Sequence, residues 1–411
     1  MNKLIFTFLF STSVLFSSGF QLNEHGSRAV GFGGAFVSLA NDPSTLFFNP
    51  AGLSKLSGTM IYGGGVFIMP TTSFRGISPQ ITEYKAKNKT YTPITFYGTT
   101  KFGDLGIGIG VNNQYGLGID WGKEWPGKSL VTDTDLQTFF FTLGAGYSPM
   151  DNLSIGATFS LAKASFVLNR MQDFIGAANI EGETLVSHKG SDDAVAYSVG
   201  LLYELSPEIK FGLNYRSQVD FQLQGTATSD TSSSIAKTLK SFLPNEAFTA
   251  DFTAPWNLHI GASYQFNPSF LISTEYQLVG WEVMDSLIAD FEKVADMKIP
   301  RMYKNTGILK VGAEYDFESY QIRGGLIYDA TPVPVEWIDP TLPDANRICY
   351  TAGFSTNLTE NLKLDAAFMW VRASEVKTDG KNLVDFRGRK GFEGVYNSYA
   401  SVGSISLQYN L

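Results

Sequence analysis

The chain has 411 residues, 31 Lys+Arg against 39 Asp+Glu, and a formal net charge of −8; only 17% of its residues are charged while 14% are aromatic. So apolar and aromatic a composition excludes a disordered chain, and the acidic balance argues against a nucleic-acid partner, which would call for a basic stripe. One cysteine, Cys349, excludes an internal disulfide and a cysteine-built zinc site, and three histidines leave little for a His-rich centre, so no metal and no cofactor are expected.

In chain order, the first element is an export signal. Lys3 gives the positive start, Leu4 to Phe16 an apolar run broken only by small hydroxyl residues, and Ser17, Ser18 and Gly19 a small-residue end. Residues 1–19 read as a secretory signal peptide, with cleavage after Gly19 and Ser17 in the third-last place. Downstream no stretch of about 20 apolar residues appears, so no helical membrane anchor is expected.

Residues 20–57 form the second element. They are rich in small residues, as in Gly31-Phe32-Gly33-Gly34-Ala35, Asn41-Asp42-Pro43-Ser44 and Asn49-Pro50-Ala51-Gly52-Leu53. The segment is too long for a tail and too apolar to stand in solution. Its glycine cluster lacks the strand–loop–helix surroundings of a nucleotide loop. A plug, or hatch, inside a barrel is the economical reading.

From residue 58 to 411 the chain alternates. Leu258, Ile260, Ala262, Tyr264 and Phe266 interleave with His259, Gly261, Ser263 and Gln265; Ile405, Leu407, Tyr409 and Leu411 interleave with Ser404, Ser406, Gln408 and Asn410. A period of two means strands with one apolar and one polar face. About fourteen such segments of roughly ten residues occur, the length a tilted strand needs to cross a bilayer. They lie near 59–69, 92–101, 105–115, 137–147, 153–166, 193–204, 209–220, 256–265, 269–281, 305–315, 320–329, 348–357, 362–371 and 400–411. Tight turns rich in Pro, Asp, Asn and Ser alternate with long gaps, the layout of an outer-membrane barrel. The fold expected is therefore all-β, a 14-stranded antiparallel transmembrane β-barrel, with apolar residues toward lipid and lipopolysaccharide. An even strand count returns both barrel ends to the short-turn, periplasmic rim. A secreted β-sandwich shares the periodicity, but not the strand length or the alternating gaps.

Specific stretches carry a resemblance. Gly19-Phe20-Gln21-Leu22-Asn23-Glu24, then Gly31-x-Gly33-Gly34-Ala35, Asn41-Asp42-Pro43 and Asn49-Pro50-Ala51 resemble the start of the FadL family. The likeness continues through Tyr115-Gly116-Leu117, Thr134-Asp135-Leu136-Gln137-Thr138, Tyr215-Arg216-Ser217-Gln218-Val219, Pro332-Val333-Pro334, Asp339-Pro340 and Pro343-Asp344. A departure is the last residue, Leu411, where many outer-membrane barrels end in Phe or Trp. The resemblance implies a monomeric passive transporter of long-chain fatty acids, or of aromatic hydrocarbons in some relatives, with a fourteen-stranded barrel and an N-terminal hatch. Substrate would be captured in an extracellular groove, pass to a lumen site, and leave sideways through a gap in the third strand after the hatch moves.

The same resemblance implies the site residues. The third strand would kink at Gly116, with the hatch tip Asn49-Pro50-Ala51 against the opening. The glycine run from Leu105 to Gly110 also permits bulges, unless it merely relieves crowding in the lumen. Lys304 and Arg170 would meet a substrate carboxylate, since a desolvated carboxylate needs a charge-assisted donor. The loops near 167–192 and 221–255 would form the groove. The second holds Ile235, Leu239, Phe242, Leu243, Phe248 and Phe252, of which the first three fit one face of a short helix.

Two other classes stand against this reading. A barrel lipase needs a paired Ser and His, and no motif places a serine beside His25 in the hatch, His188 in a long loop, or lumen-facing His259. A diffusion porin for hydrophilic solutes has no need of an apolar-rich hatch.

Overall fold

The computed structural model describes residues 19–411 apart from 80, 175–179, 293–295, 379–380 and 384–390. The signal-peptide reading, all but Gly19, lies outside the described residues.

Fourteen antiparallel strands follow one another. They are β1 (Thr59–Gly76), β2 (Ile94–Phe102), β3 (Leu105–Asn112, resumed over Gly116–Asp120), β4 (Asp133–Met150) and β5 (Leu153–Asp173). Next come β6 (Glu183–Glu204), β7 (Ile209–Arg216, resumed over Val219–Ser229), β8 (Glu246–Ala254, resumed over Asn257–Asn267) and β9 (Phe270–Val279). The last are β10 (Thr306–Asp316), β11 (Tyr320–Asp329), β12 (Arg347–Asn357), β13 (Leu362–Ala373) and β14 (Gly394–Asn410). Each pairs with the next, and β1 pairs with β14 from Met60↔Asn410 to Gly76↔Gly394, which closes the sheet. Closure matters because hydrocarbon offers no partner for an unpaired backbone N–H or C=O.

The alternation sorts the side chains as expected. Leu143, Phe159, Leu161, Ile260, Leu326, Phe368 and Ile405 point outward and are exposed, while their neighbours Thr142, Ser160, His259 and Ser404 are buried. Aromatic pairs crowd the short-turn rim. Tyr264 meets Phe266 edge-on at 4.5 Å, and Phe317 stacks on Tyr320 at 4.8 Å, as an interfacial girdle requires. The β2–β3 turn is Gly103-Asp104, and Gly103 takes a positive φ of 58° that suits glycine in a two-residue hairpin.

The strands run further on the long-loop side than the apolar alternation suggested. β5 extends to Asp173 and β6 begins at Glu183. β7 ends at Ser229 and β8 begins at Glu246. Much of the two expected loops, 167–192 and 221–255, is therefore paired strand. Beyond the lipid belt neither face must be apolar, so the alternation fades while the backbone ladder continues. His188, expected in a loop, sits on β6.

Residues 20–56 lie against inward-facing groups all round this ring. The segment folds into a short helix α1 (Ser27–Gly31), a shorter α2 (Thr45–Phe48) and a 3-10 turn over Pro50–Lys55. Asn49 caps that turn by accepting from the Ala51 N–H at 3.2 Å, and Pro50 occupies the first position, where no N–H is needed. Polar ties then reach opposite walls. Ser27 Oγ lies 2.7 Å from Ser404 Oγ on β14, and Arg28 pairs with Glu314 on β10 at 3.2 Å. The Phe36 and Val37 N–H groups both donate to Glu275 on β9 at 2.9 Å, and Thr351 on β12 donates to the Gly31 carbonyl at 3.0 Å. Ala29, Phe32, Phe36, Leu46, Phe47, Phe48 and Leu53 pack with Tyr62 and Tyr97 into an apolar cluster beneath these ties.

Candidate transport path

Above the N-terminal segment the inward faces turn apolar. Phe20, Tyr115, Phe140, Val219, Phe252 and Trp281 belong to one large buried cluster. Phe20 is its hub, with ring centroids 4.8 Å from Trp281, 5.3 Å from Phe252 and 6.0 Å from Tyr115. Tyr115 anchors its hydroxyl by donating to the Pro255 carbonyl at 2.9 Å. Such a wall of rings offers apolar surface to a ligand without exposing it to water.

The wall is broken in β3. Its lower half pairs with β2 up to Thr95↔Asn112, and its upper half pairs, among the described residues, only with β4, from Gly116↔Gln137 to Asp120↔Asp133. Between them the ladder bonds are supplied by side chains. Asn113 Oδ1 accepts from the Ile94 N–H at 2.9 Å, Asn113 Nδ2 donates to the Thr138 carbonyl, and Thr138 Oγ1 accepts from the Tyr115 N–H while donating to its carbonyl. From inside, the Gly116 N–H donates to the Phe20 carbonyl and the Leu22 N–H to the Gln114 carbonyl, both at 2.9 Å. The interruption is thus hydrogen-bonded by the N-terminal segment.

A cavity and a groove flank this place. Inside, Asn112, Gln114, Thr142, Thr158, Ser160, Ser198, Arg216 and Ser217 surround a small polar cavity bordered by Leu46, Phe47 and Val219. Outside, Phe96, Ile109, Gly110, Val111, Phe141 and Leu143 line a shallow apolar groove on the lipid face. Thr142 borders both.

Below lie two clusters of buried charge. Glu275 accepts from Lys310 Nζ at 2.9 Å and from His259 Nδ1 at 2.8 Å, besides the two backbone N–H groups. Arg28, Glu314, Arg323 and Asp365 form the other. On the loop between β11 and β12, burial raises the Asp344 carboxyl above its ordinary value against the opposing pull of Arg347. In the loop before β10, burial pushes the Tyr303 hydroxyl up to about 12.

The sequence-derived candidates fall in different places. Asn49-Pro50-Ala51 does not sit beside Gly116. Asn49 donates to the Leu201 carbonyl of β6 at 3.0 Å, and the turn presses on inward glycines of β4, β5 and β6. At Gly200 a Cβ would collide with Asn49 Oδ1, and at Gly156 with the Pro50 backbone, so close approach demands glycine at both. Gly106 and Gly108 likewise make room for Leu53; they relieve crowding, and the break comes later in the strand. What meets Gly116 is Phe20–Leu22.

Arg170 is buried on β5, whereas Lys304 is exposed beside the β10 start, its N–H bonded to the Pro332 carbonyl. The six groove residues divide. Ile235 and Phe242 are 40% and 59% exposed, Leu239 and Leu243 pack with Phe174 and Ala236, and Phe248 and Phe252 join the inner cluster.

Sequence reasoning left out Arg216, Glu275, Lys310 and Phe20 as site residues. For the first three a signal existed. Each is an ionisable residue in the inward phase of a strand whose neighbours, such as Tyr276, Leu309 and Val311, face lipid. Charge there cannot face hydrocarbon and is held by the interior. For Phe20 no local signal existed, because its partners lie on other strands.

A closed barrel with an apolar outer belt, a buried apolar cluster inside and an interrupted strand is the architecture of an outer-membrane transport channel. The family model described as "Outer membrane protein transport protein (OMPP1/FadL/TodX)" matches residues 8–411, and the chain belongs to that family. The long-chain fatty acid transport protein of Salmonella typhi is 23% identical to it over 419 residues, covering 93% of this chain and 94% of that one. Outer membrane protein P1 of Haemophilus influenzae is 24% identical over 465 residues, with 98% of each chain covered. Among solved structures, a Pseudomonas aeruginosa FadL homologue superposes with a TM-score of 0.85 at 19% identity, covering 96% of this chain and 100% of that one. The P. putida toluene transporter TodX superposes with a TM-score of 0.75 at 16% identity, covering 97% and 99%.

Proposed function

We propose that this protein carries hydrophobic molecules, long-chain fatty acids foremost, passively across the outer membrane and releases them sideways through the β3 break. The supporting observation is the alignment of three features: a buried apolar cluster inside, a strand interruption held by side chains and by Phe20–Leu22, and an apolar groove outside. A fatty acid gains about 0.8 kcal/mol per buried methylene, so a route that never returns it to water keeps the barrier low.

In this reading residues 1–19 are the removed signal, 20–57 the hatch, and 58–411 a monomeric barrel whose ends face the periplasm. Exposed Ile235 and Phe242 begin capture above the lipopolysaccharide, and buried Arg170 steers the carboxylate, Lys304 at the loop base adding only a weak, solvent-screened pull. Hatch movement frees Phe20–Leu22 from β3, opening the flank. Movement is downhill, with binding as its only drive.

Uptake of aromatic or alkane hydrocarbons is the second reading, favoured by the preponderance of uncharged side chains in the interior cluster. Proteoliposomes holding the purified protein test both. Oleate should enter faster than into protein-free vesicles, toluene serving as the competing cargo, while sucrose should not. Steady sucrose flux would reveal a water-filled pore and reject the reading.

A further inference from the structure

We propose that Arg216 and the polar cavity it borders form an anion site just inside the β3 break, which receives the carboxylate of an amphiphilic substrate. This rests on the transport reading above and names a stopping point that neither Lys304 nor Arg170 supplies.

Arg216 can only donate, so its 2.8 Å contact with His259 Nε2 makes that nitrogen the acceptor. His259 Nδ1 then carries the ring proton and donates to Glu275. The imidazole is thus neutral and links two charges without adding one. Glu275 is matched by Lys310 at 2.9 Å. One positive charge, that of Arg216, is left over. Among the described residues no ion pair engages it, and its Nε has no hydrogen-bond partner although the residue is only 7% exposed. A buried cation without a counter-charge is costly, and an arriving anion relieves that cost.

The surroundings suit a carboxylate. The guanidinium lies over the Phe47 ring, 4.1 Å from its centroid, which fixes its plane. Thr142, Thr158, Ser160, Ser198 and Ser217 ring the cavity with hydroxyls. Its volume, about 20 Å³, admits a headgroup oxygen and no chain. Apolar surface lies on each side of the cavity: Val219 on its rim belongs to the inner cluster, and Thr142 borders both the cavity and the outer apolar groove. A head held at Arg216 therefore stands between the inner apolar cluster and the groove on the lipid face.

Two arms test this. In crystals soaked in bromide, an anomalous peak should stand at the Arg216 guanidinium; its absence overturns the anion site whatever the protein transports. In proteoliposomes, Arg216→Gln should slow oleate by about tenfold, the usual scale for a charge-assisted hydrogen bond. Oleyl alcohol, the same chain without a charge, should change less than about twofold, and Arg216→Lys, which keeps the charge but loses the plane stacked on Phe47, should retain more oleate flux than Arg216→Gln. If oleate and oleyl alcohol fall together, or neither changes, Arg216 has no carboxylate role and the bromide marks an adventitious halide only. If the wild-type protein carries no oleate, the transport reading falls, and the bromide arm alone decides the anion site.

Discussion

Strands β3 and β5 are near neighbours built to opposite rules. β5 pairs without interruption with β4 from Ile155↔Tyr147 to Asn169↔Asp133, and with β6 from Leu153↔Tyr203 to Asp173↔Glu183. β3 leaves β2 after Asn112 and skips three residues before resuming beside β4. A gap of that kind in hydrocarbon would strand several backbone groups at a cost of about 2 kcal/mol or more each. Asn113, Thr138 and the backbone of Phe20–Leu22 remove that cost. The lesson is that the weak place in the wall is stable only while the N-terminal segment supports it. β5 needs no such support.

Loosening the support should have the largest effect. Glu275→Gln removes a charged acceptor shared by two backbone N–H groups and leaves Lys310 unmatched. Breaking a buried pair of this kind costs about 3 kcal/mol or more. We expect a lowered unfolding midpoint in denaturant titration and a raised small-ion conductance in planar bilayers; unchanged conductance would mean that Glu275 does not hold the segment in place.

Repairing the wall comes next. Deleting Gln114 alone removes the one-residue slip between Asn112↔Phe140 and Gly116↔Gln137 and would let β3 run on like β5, with the barrel still closed. Oleate flux should fall by about tenfold or more, because a continuous ladder leaves no exit. Flux at the wild-type rate would place the exit elsewhere. Phe20→Ala tests the same contact from the inside. It removes the hub of the ring cluster, a change that costs about 3 kcal/mol in a packed core, and should weaken retention of oleate measured by tryptophan fluorescence.

The exposed loop should respond less. Phe242→Ser removes apolar surface worth about 1.5 kcal/mol when buried against a ligand. Uptake at limiting oleate should drop several-fold, with saturating uptake intact. Smallest of all is Lys304→Ala. Its side chain is exposed, where a charge contributes little, so oleate flux should change less than about twofold. A larger loss would restore Lys304 to the centre of carboxylate recognition.

How much was legible can be judged from these residues. Leu258, Ile260 and Tyr264 announce a lipid face by their spacing alone, and Gly103-Asp104 announces a turn. Each signal is local, carried by neighbours within a few positions, so strand number, order and facing were readable along the chain. Arg216, Glu275 and Lys310 were half legible: their inward phase could be read, but not that they would meet.

The meeting itself was decided in three dimensions. Phe36 finds Glu275, Ser27 finds Ser404 and Asn49 finds Leu201 across a closed ring, with partners more than a hundred positions apart. The motif Asn49-Pro50-Ala51 could be recognised, yet its wall could not, because the direction of a chain within a cylinder depends on every tie that holds it. Alternation belongs to the sequence, since hydrocarbon acts on each residue separately. The break in β3 and its cover belong to the tertiary structure, since a hydrogen bond needs both partners in place.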